Sequence, residues 1–443
     1  MVHIISDNNY QGKSFLIDSF KDLLPLGNKS LKELCHEHKN LLVFPPTLMD
    51  TGDKLGEDPI FSFIFSDDME NTQVFTSNVM GYIGRGNHQL KIYSRFDNPE
   101  RDYFLHYMLQ KVFSINLFDF DNSTKEESVF ELLMFFFPYY LKRAMAQGVY
   151  REYTRFEHND SNVKGTIDIS QHLQRNIPFS GKIAYNTREY SRDNSMTQLI
   201  RHTIEYIKMS DYGESILNED KDTIAFVEEI IRCTPSYSKA DRLKVIQKNL
   251  KMVSHPYFDR YIELQNLCLR ILRFDEVMFG ESNDDFYGIL FDGAWLWEEY
   301  CATLLAPFHF NHAENKNGTK FITLFTDRTG KRYPDFYRTD FVIDAKYKRY
   351  GTKNKVSEAG REDLHQIITY MYMLKAKQGA FLSPFQNEIV VFSSSTLNGY
   401  GGSISLLGLE IPTENRSYKE FLEKMKMRED IFCKTLIEFL TTQ

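Results

Sequence analysis

Apolar residues recur along the chain in two rhythms, and the changes between them outline its organisation. Short β-type runs dominate the first hundred positions: Ile60 to Phe65, Gln73 to Thr76, Val79 to Ile83 and Leu90 to Tyr93. Each has the length of a half-buried strand. Gly84, Gly86 and Asn87 predict a hairpin turn between the last two. From position 100 the spacing becomes helical, with Tyr103, Phe104, Tyr107, Met108 and Val112 on one stripe. Ser123 is placed to cap a second helix and Gly148 to close one.

Residues 150–280 alternate the two patterns. Val163 to Ile169 reads as a strand, and Ser195 to Met209, Glu219 to Cys233 and Pro256 to Phe274 as helices. The stretch 211–255 is polar for its helical pattern and is expected to project from the body as a stalk. The last third opens with a helix from Gly293 to Leu305, stopped by Pro307. Strands follow at Phe321 to Phe325, Pro334 to Tyr337 and Asp340 to Tyr347. Then come a helix from Glu362 to Lys377, strands at Glu388 to Phe392 and Ser403 to Leu407, and a final helix from Tyr418 to Leu440. The expectation is an α/β chain, α+β overall. It comprises a strand-rich domain over 1–98, a helical and mixed middle region over 99–280, and a domain over 281–443 with one mixed central sheet.

Composition narrows the setting. The 42% hydrophobic and 14% aromatic content of 443 residues supports large cores. The net charge of −8 excludes a protein coated in nucleic-acid-binding charge, but a local basic groove remains open. Lys346, Lys348, Arg349, Lys353, Lys355 and Arg361 form one such cluster. Five cysteines lie far apart without a CxxC pair, which argues against a disulfide framework or zinc ribbon and fits a reducing cytoplasm. The N-terminus lacks signal-peptide character, and the apolar run Leu132 to Leu141, broken by Pro138, is too short to span a bilayer. A soluble cytoplasmic protein is expected.

The chemistry concentrates in Tyr333-Pro334-Asp335-Phe336-Tyr337-Arg338-Thr339-Asp340-Phe341-Val342-Ile343-Asp344-Ala345-Lys346. A tight turn at Arg338 to Asp340 places Asp335 and Asp344 on paired strands near one end. Asp344 and Lys346 are two apart and face the same side. Like carboxylates repel unless a cation sits between them, and hard oxygen ligands suit Mg²⁺ or Mn²⁺. Lys346 is placed to orient a water or stabilise developing charge. Glu298, in preference to Glu299, lies toward the apolar side of its helix and is expected to complete the ligand set. Gln366 and Tyr370, four apart, share a helix face and are expected, with Lys348, to contact DNA backbone or hold the lysine. An isolated Asp-x-Lys is more often a solvated strand end. The Pro-Asp on the preceding strand and the apolar approach to Asp344 favour a site.

The order of Glu helix, Pro-Asp, Asp-x-Lys and Gln-x3-Tyr is similar to the RecB-like branch of the PD-(D/E)xK nucleases. Asp344-Ala345-Lys346-Tyr347-Lys348 resembles the McrC family in particular. Upstream, Asn78 to Ile83, Leu90 to Ile92, Phe104 to Leu109, and Val163 to Asp168 with Asn176 follow the same pattern. The chain departs from it at Ser94-Arg95, where members usually read Pro-Lys, and the resemblance does not extend to its first 75 residues.

The resemblance implies a Mg²⁺-dependent endodeoxyribonuclease subunit of a modification-dependent restriction system, acting in antiviral defence on modified duplex DNA. It also implies a McrB-like AAA+ GTPase ring as partner, entered by a stalk that stimulates hydrolysis. No nucleotide is expected on this chain itself: Gly12-Lys13-Ser14 mimics the tail of a P-loop, but Asp7 stands where the first glycine belongs. The alternatives are a stand-alone RecB-like nuclease of repair or end processing, and a non-enzymatic adaptor, against which the intact Asp335, Asp344 and Lys346 argue.

Overall fold

The computed structural model describes residues 1–38, 41–45, 54–67, 70–85, 88–98, 101–113, 128–279, 286–313, 320–350, 355–386, 393–399 and 401–441. Gly86 and Asn87 of the expected turn, Ser123, Lys353 and the expected strand at 388–392 lie outside them. The architecture is mixed α and β, as the periodicities imply.

The chain folds as two compact units, Met1–Val129 with Glu281–Gln443, and Phe130–Gly280. The break expected at 98/99 falls inside the first unit. The reason is packing: the helix Tyr103–Phe113 buries Phe104 and Tyr107 against Trp297 and Tyr300 of the helix Gly293–Leu305. Tyr107 and Tyr300 both donate to Glu429 Oε1 of the C-terminal helix Tyr418–Thr441, each at 2.7 Å.

Two sheets organise the first unit. One runs in the order Val2–Ser6, His88–Tyr93, Val79–Arg85, Phe286–Asp292, Leu41–Phe44. Its fourth strand comes from beyond residue 281. Phe286–Asp292 is apolar and fully buried, and it pairs antiparallel with Val79–Arg85 and parallel with Leu41–Phe44. Gly81 lies in this pairing with φ +128°, where a Cβ would run into the Ile289 carbonyl. Gly84, expected in the turn, belongs to the strand Val79–Arg85. Gly12-Lys13-Ser14 leads into a strand, Lys13–Leu16, whereas a P-loop leads into a helix.

The second sheet runs Asn311–His312, Phe336–Tyr337, Phe341–Ala345, Gln378–Phe385, Ser403–Glu410, Ser393–Thr396. Phe341–Ala345 pairs antiparallel with Phe336–Tyr337 and parallel with Gln378–Phe385, a strand the hydrophobic pattern did not predict. The crossover between the parallel strands is the helix Arg361–Leu374, which packs Ile367, Tyr370 and Met371 onto Val342, Phe381, Ile404 and Leu406. Asp292 caps the helix Gly293–Leu305 through the backbone N–H groups of Ala294 and Trp295. That helix ties to the sheet through Trp297 Nε1, which donates to the Leu382 carbonyl at 3.1 Å.

The second unit is a helical body carrying a three-stranded sheet. The expected stalk at 211–255 is not a projection. Its helices Gly213–Leu217, Lys221–Cys233 and Arg242–Lys248 bury Ile216, Leu217, Val227, Ile230, Val245 and Ile246 within this unit. Their polar outer faces, not a lack of core contact, produce the polar pattern. The exposed element is instead the sheet of Glu152–Asp160, Ile183–Ser191 and Thr166–Ile167, with the helix Ile169–Arg175. The strand expected over Val163 to Ile169 shrinks to two residues. Gly165 passes so close to Asn186 that a Cβ would strike its carbonyl, and Asp168 already caps the helix by accepting from Gln171 N.

Candidate functional site

Sheet register builds the site. Phe336 faces Ile343 and Tyr337 faces Val342, so the next step of the ladder sets Asp335 opposite Asp344. Asp335 Oδ2 accepts from the Ala345 N–H at 2.7 Å, which locks the two strand ends together. Lys346 continues the second strand, its N–H donating to the Leu382 carbonyl at 2.8 Å. Its ammonium returns along the same face to within 2.7 Å of Asp344 Oδ2.

Asp344 is fully buried and Asp335 half-buried, and Asp344 Oδ1 has no hydrogen-bond donor among the described residues. Burial first, and repulsion from Asp344 second, push Asp335 up to about 7. Burial likewise raises Asp344, with Lys346 working against it. Burial opposes the charge on Lys346, but Asp344 and Asp335 outweigh it and hold the ammonium above the ordinary lysine range. The carboxylates outnumber the cation, so the site has an unmet demand for positive charge.

The helix Arg361–Leu374 supplies the lysine's remaining partners. Lys346 Nζ donates to Gln366 Oε1 at 3.2 Å, Gln366 Nε2 donates to Tyr370 Oη at 2.9 Å, and Tyr370 Oη donates to the Tyr333 carbonyl at 3.3 Å. Asp363, one turn earlier, sits between Lys346 at 3.7 Å and Lys348 at 2.8 Å. Lys348, expected at the DNA backbone, thus has a carboxylate partner of its own. Sequence reasoning passed over Asp363, although its i, i+3 spacing to Gln366 places it on the same helix face.

His312 was also passed over, and no motif marks it. It stacks on Phe336 with 4.8 Å between ring centroids, and Nδ1 donates to the Asp335 carbonyl at 2.9 Å. Glu298 Oε1 lies 4.0 Å from its Nδ1, and Glu299 Oε1 3.9 Å from its Nε2. The structure therefore gathers Asp335, Asp344, Lys346, Gln366 and Tyr370, and turns both glutamates toward His312.

Among the described residues, no three acid, histidine or cysteine side chains are gathered so that they could hold a metal ion. Two adjoining carboxylates, one of them fully buried with an oxygen that has no donor among the described residues, nonetheless fit a hard cation that retains several waters, as Mg²⁺ does.

The same strand end is gripped from the other sheet of this unit. Tyr347 Oη lies 2.6 Å from Ser94 Oγ, and the Arg95 guanidinium stacks 4.5 Å from the Tyr347 ring centroid. Arg95 also donates to the Tyr347 carbonyl at 2.5 Å and to Asn78 Oδ1 at 2.8 Å, and lies 3.6 Å from Asp7.

Fold and site define an α/β protein with a carboxylate–lysine centre at one end of a mixed sheet. A family model described as "McrBC 5-methylcytosine restriction system component" matches residues 74–383, and the chain belongs to that family. This is the resemblance its motifs carry. No curated protein sequence matches the chain. A chain of the Thermococcus gammatolerans assembly of McrB AAA+ hexamers with bound McrC aligns at TM-score 0.50 and 13% identity, covering 96% of this chain and 99% of that one. At that identity the likeness is one of fold. A chain of the Thermococcus gammatolerans McrBC complex solved by cryo-EM aligns at TM-score 0.33 and 12% identity, over 69% and 87% of the two chains. Among the described residues, no helix is long and apolar enough to cross a membrane.

Proposed function

We propose that the chain is the DNA-cleaving, McrC-type subunit of its restriction system and hydrolyses phosphodiester bonds of modified duplex DNA with Mg²⁺. The observation that carries this reading is the adjoining Asp335–Asp344 pair, Asp344 fully buried, with Lys346 held against it. Burying two carboxylates beside each other is costly, and a bound cation offsets that cost. Asp335 and Asp344 would hold the ion, with Glu298 the third acid facing the same edge. When bound, the ion polarises the scissile phosphate and lowers the pKa of its water. Lys346, fixed by Asp344 and Gln366, stays charged and stabilises negative charge building on the phosphate oxygens. Gln366 and Tyr370 keep that ammonium oriented.

Membership of the McrBC family supports an AAA+ GTPase ring as the partner that this subunit stimulates. We assign the contact to the exposed sheet of the second unit. Ile169 and Phe179 are 69% and 68% exposed there, and Tyr153, Ile177 and Tyr190 are open as well. Exposed apolar side chains grouped on one small module mark an interaction surface.

The deciding experiment is cleavage of methylated plasmid in Mg²⁺ by the full chain with its AAA+ partner and GTP. Asp344→Ala and Lys346→Ala should each lower cutting by several orders of magnitude with the circular dichroism spectrum unchanged. Undiminished cutting by either variant would overturn the assignment. Efficient, nucleotide-independent cutting by the chain alone would favour the stand-alone nuclease.

A further inference from the structure

Between the helix that bears Glu298 and the strand that follows Asp335, the chain makes a small hairpin. Ile322–Thr323 pairs antiparallel with Lys331–Arg332, and the ladder continues through Leu324 N to Gly330 O at 2.9 Å. The tip is pinned by its own bonds: Asp327 Oδ1 accepts from Thr329 N at 2.9 Å and Thr329 Oγ1 at 2.6 Å. Arg328 and Gly330 take positive φ to close the turn.

The hairpin's chemistry is one-sided. Lys320, Arg328, Lys331 and Arg332 are all exposed, and the segment 320–333 contains one acid, Asp327, in a chain whose net charge is −8. Among the described residues, none of the four is in an ion pair with a carboxylate. Lys331 Nζ instead lies 4.3 Å over the Phe321 ring, and Phe325 stands 57% exposed at the tip. Cations interleaved with aromatic faces, and not matched by acids, form a surface for a polyanion.

The hairpin is also wired to the site. It ends at Tyr333, two residues before Asp335. The Tyr333 carbonyl is the last acceptor in the chain of bonds that starts at Lys346 Nζ and passes through Gln366 and Tyr370. At its other end, Tyr337 Oη donates to the Lys320 carbonyl at 3.2 Å, and Ile322 packs against the core of the sheet. A centre rich in carboxylates repels a phosphate backbone, so cations fixed beside it are needed to bring the substrate in.

We infer that the hairpin Lys320–Tyr333 is a duplex-DNA clamp that grips the phosphate backbone next to the scissile bond. This rests on the nuclease reading above and extends it to how the substrate is held. Phosphate contacts by its lysines and arginines position the duplex without reading its sequence.

The test is binding of a short methylated duplex to the full chain in EDTA, where nothing is cut, followed across a salt series. The triple variant Arg328→Gln/Lys331→Gln/Arg332→Gln should weaken binding at low salt by about tenfold or more. It should also flatten the logarithmic salt slope by about 2.7, since each of the three phosphate contacts contributes roughly 0.9. Lys331→Arg should bind as the parent does. With partner and saturating DNA, the turnover of the triple variant should stay within about threefold of the parent, so the loss falls on KM. If the triple variant melts early, Arg328→Gln and Lys331→Gln are compared singly, each with a two- to threefold loss expected. Unchanged affinity and slope in folded variants overturns the clamp. If the parent chain binds through the hairpin yet never cuts with its partner, the nuclease reading falls and the clamp stands.

Discussion

The hydroxyl of Tyr347 lies 2.6 Å from Ser94 Oγ, one residue past Lys346. The sheet at the start of the chain therefore holds the backbone at the exit of the strand that carries Asp344. Gly293 makes room for this grip, because a Cβ there would press within 3.0 Å of the Tyr347 ring. Arg95 completes it from three sides: stacking on the ring, bonding the Tyr347 carbonyl, and facing Asp7. The Ser94-Arg95 pair that departs from the usual Pro-Lys of the family is thus a working part of the first unit. A lysine at 95 could not stack and bond in two directions at once.

Arg95→Ala is accordingly expected to act on both stability and cutting. It leaves Asp7 buried without its cation, a loss of about 3 kcal/mol or more in chemical denaturation. It also frees the segment after Lys346, and a displacement on the order of 1 Å at a reacting group can cost about a hundredfold in rate. Arg95→Lys should recover part of the stability and little of the rate. A variant that denatures and cuts as the parent does would show the grip to be incidental.

The two acids of the Gly293–Leu305 helix differ in what surrounds them. Glu298 Oε1 lies 4.0 Å from His312 Nδ1, the nitrogen that bonds the Asp335 carbonyl. Glu299 approaches the far nitrogen of His312. Glu298→Gln should therefore lower cleavage by about a hundredfold or more, and Glu299→Gln by less than tenfold. Plasmid cutting by the paired variants decides it, and the reverse ranking would hand the ligand role to Glu299.

Some of this was legible in the linear pattern and some was not, for physical reasons. Asp335, Asp344 and Lys346 were readable because strand alternation and one tight turn suffice to bring them together. Gln366 and Tyr370 were readable from helical spacing alone. Gln378–Phe385 was missed because it is buried on both faces and carries Gly379, Ser383 and Pro384, so neither alternation nor β-branching marks it. Phe286–Asp292 was missed as a partner of Leu41–Phe44 because no local signal reports a pairing across more than 240 positions. The polar stretch 211–255 misled because short helices need only two apolar residues each to dock. His312 touches the site through its ring and a backbone carbonyl, which no residue spacing encodes.

The exposed sheet of the second unit gives a test of partner docking that leaves the site untouched. Ile169→Asp and Phe179→Asp place charge on open apolar positions, so the subunit's own melting should change little. Stimulation of GTP hydrolysis by the ring should fall by about tenfold or more if these positions contact it. A substitution in the buried stripe, such as Val245→Asp, should instead unfold the second unit. Full stimulation by both exposed-site variants would move the contact elsewhere.

The last prediction concerns pH and starts from Asp102, which is fully buried in the first unit with a backbone φ of +50°. Burial first, eased by Lys91 and worsened by Asp97, pushes its carboxyl up to about 7. A raised folded-state pKa means the folded protein binds this proton more tightly than the unfolded chain does. The stability it confers is therefore complete at pH below the ordinary aspartate value of 3.8 and is lost as pH rises toward and through about 7. Asparagine tolerates the left-handed backbone and keeps the acceptor for the Ser94 N–H, but it has no charge to bury. Asp102→Asn should therefore raise the melting temperature at pH 8, by a free energy on the order of a few kcal/mol, and the gain should shrink steadily toward pH 5. Asp97, raised to about 6 by the same burial, predicts a second, smaller inflection at lower pH in the parent protein. A gain from Asp102→Asn that is constant across this range would mean that Asp102 is not the group that titrates.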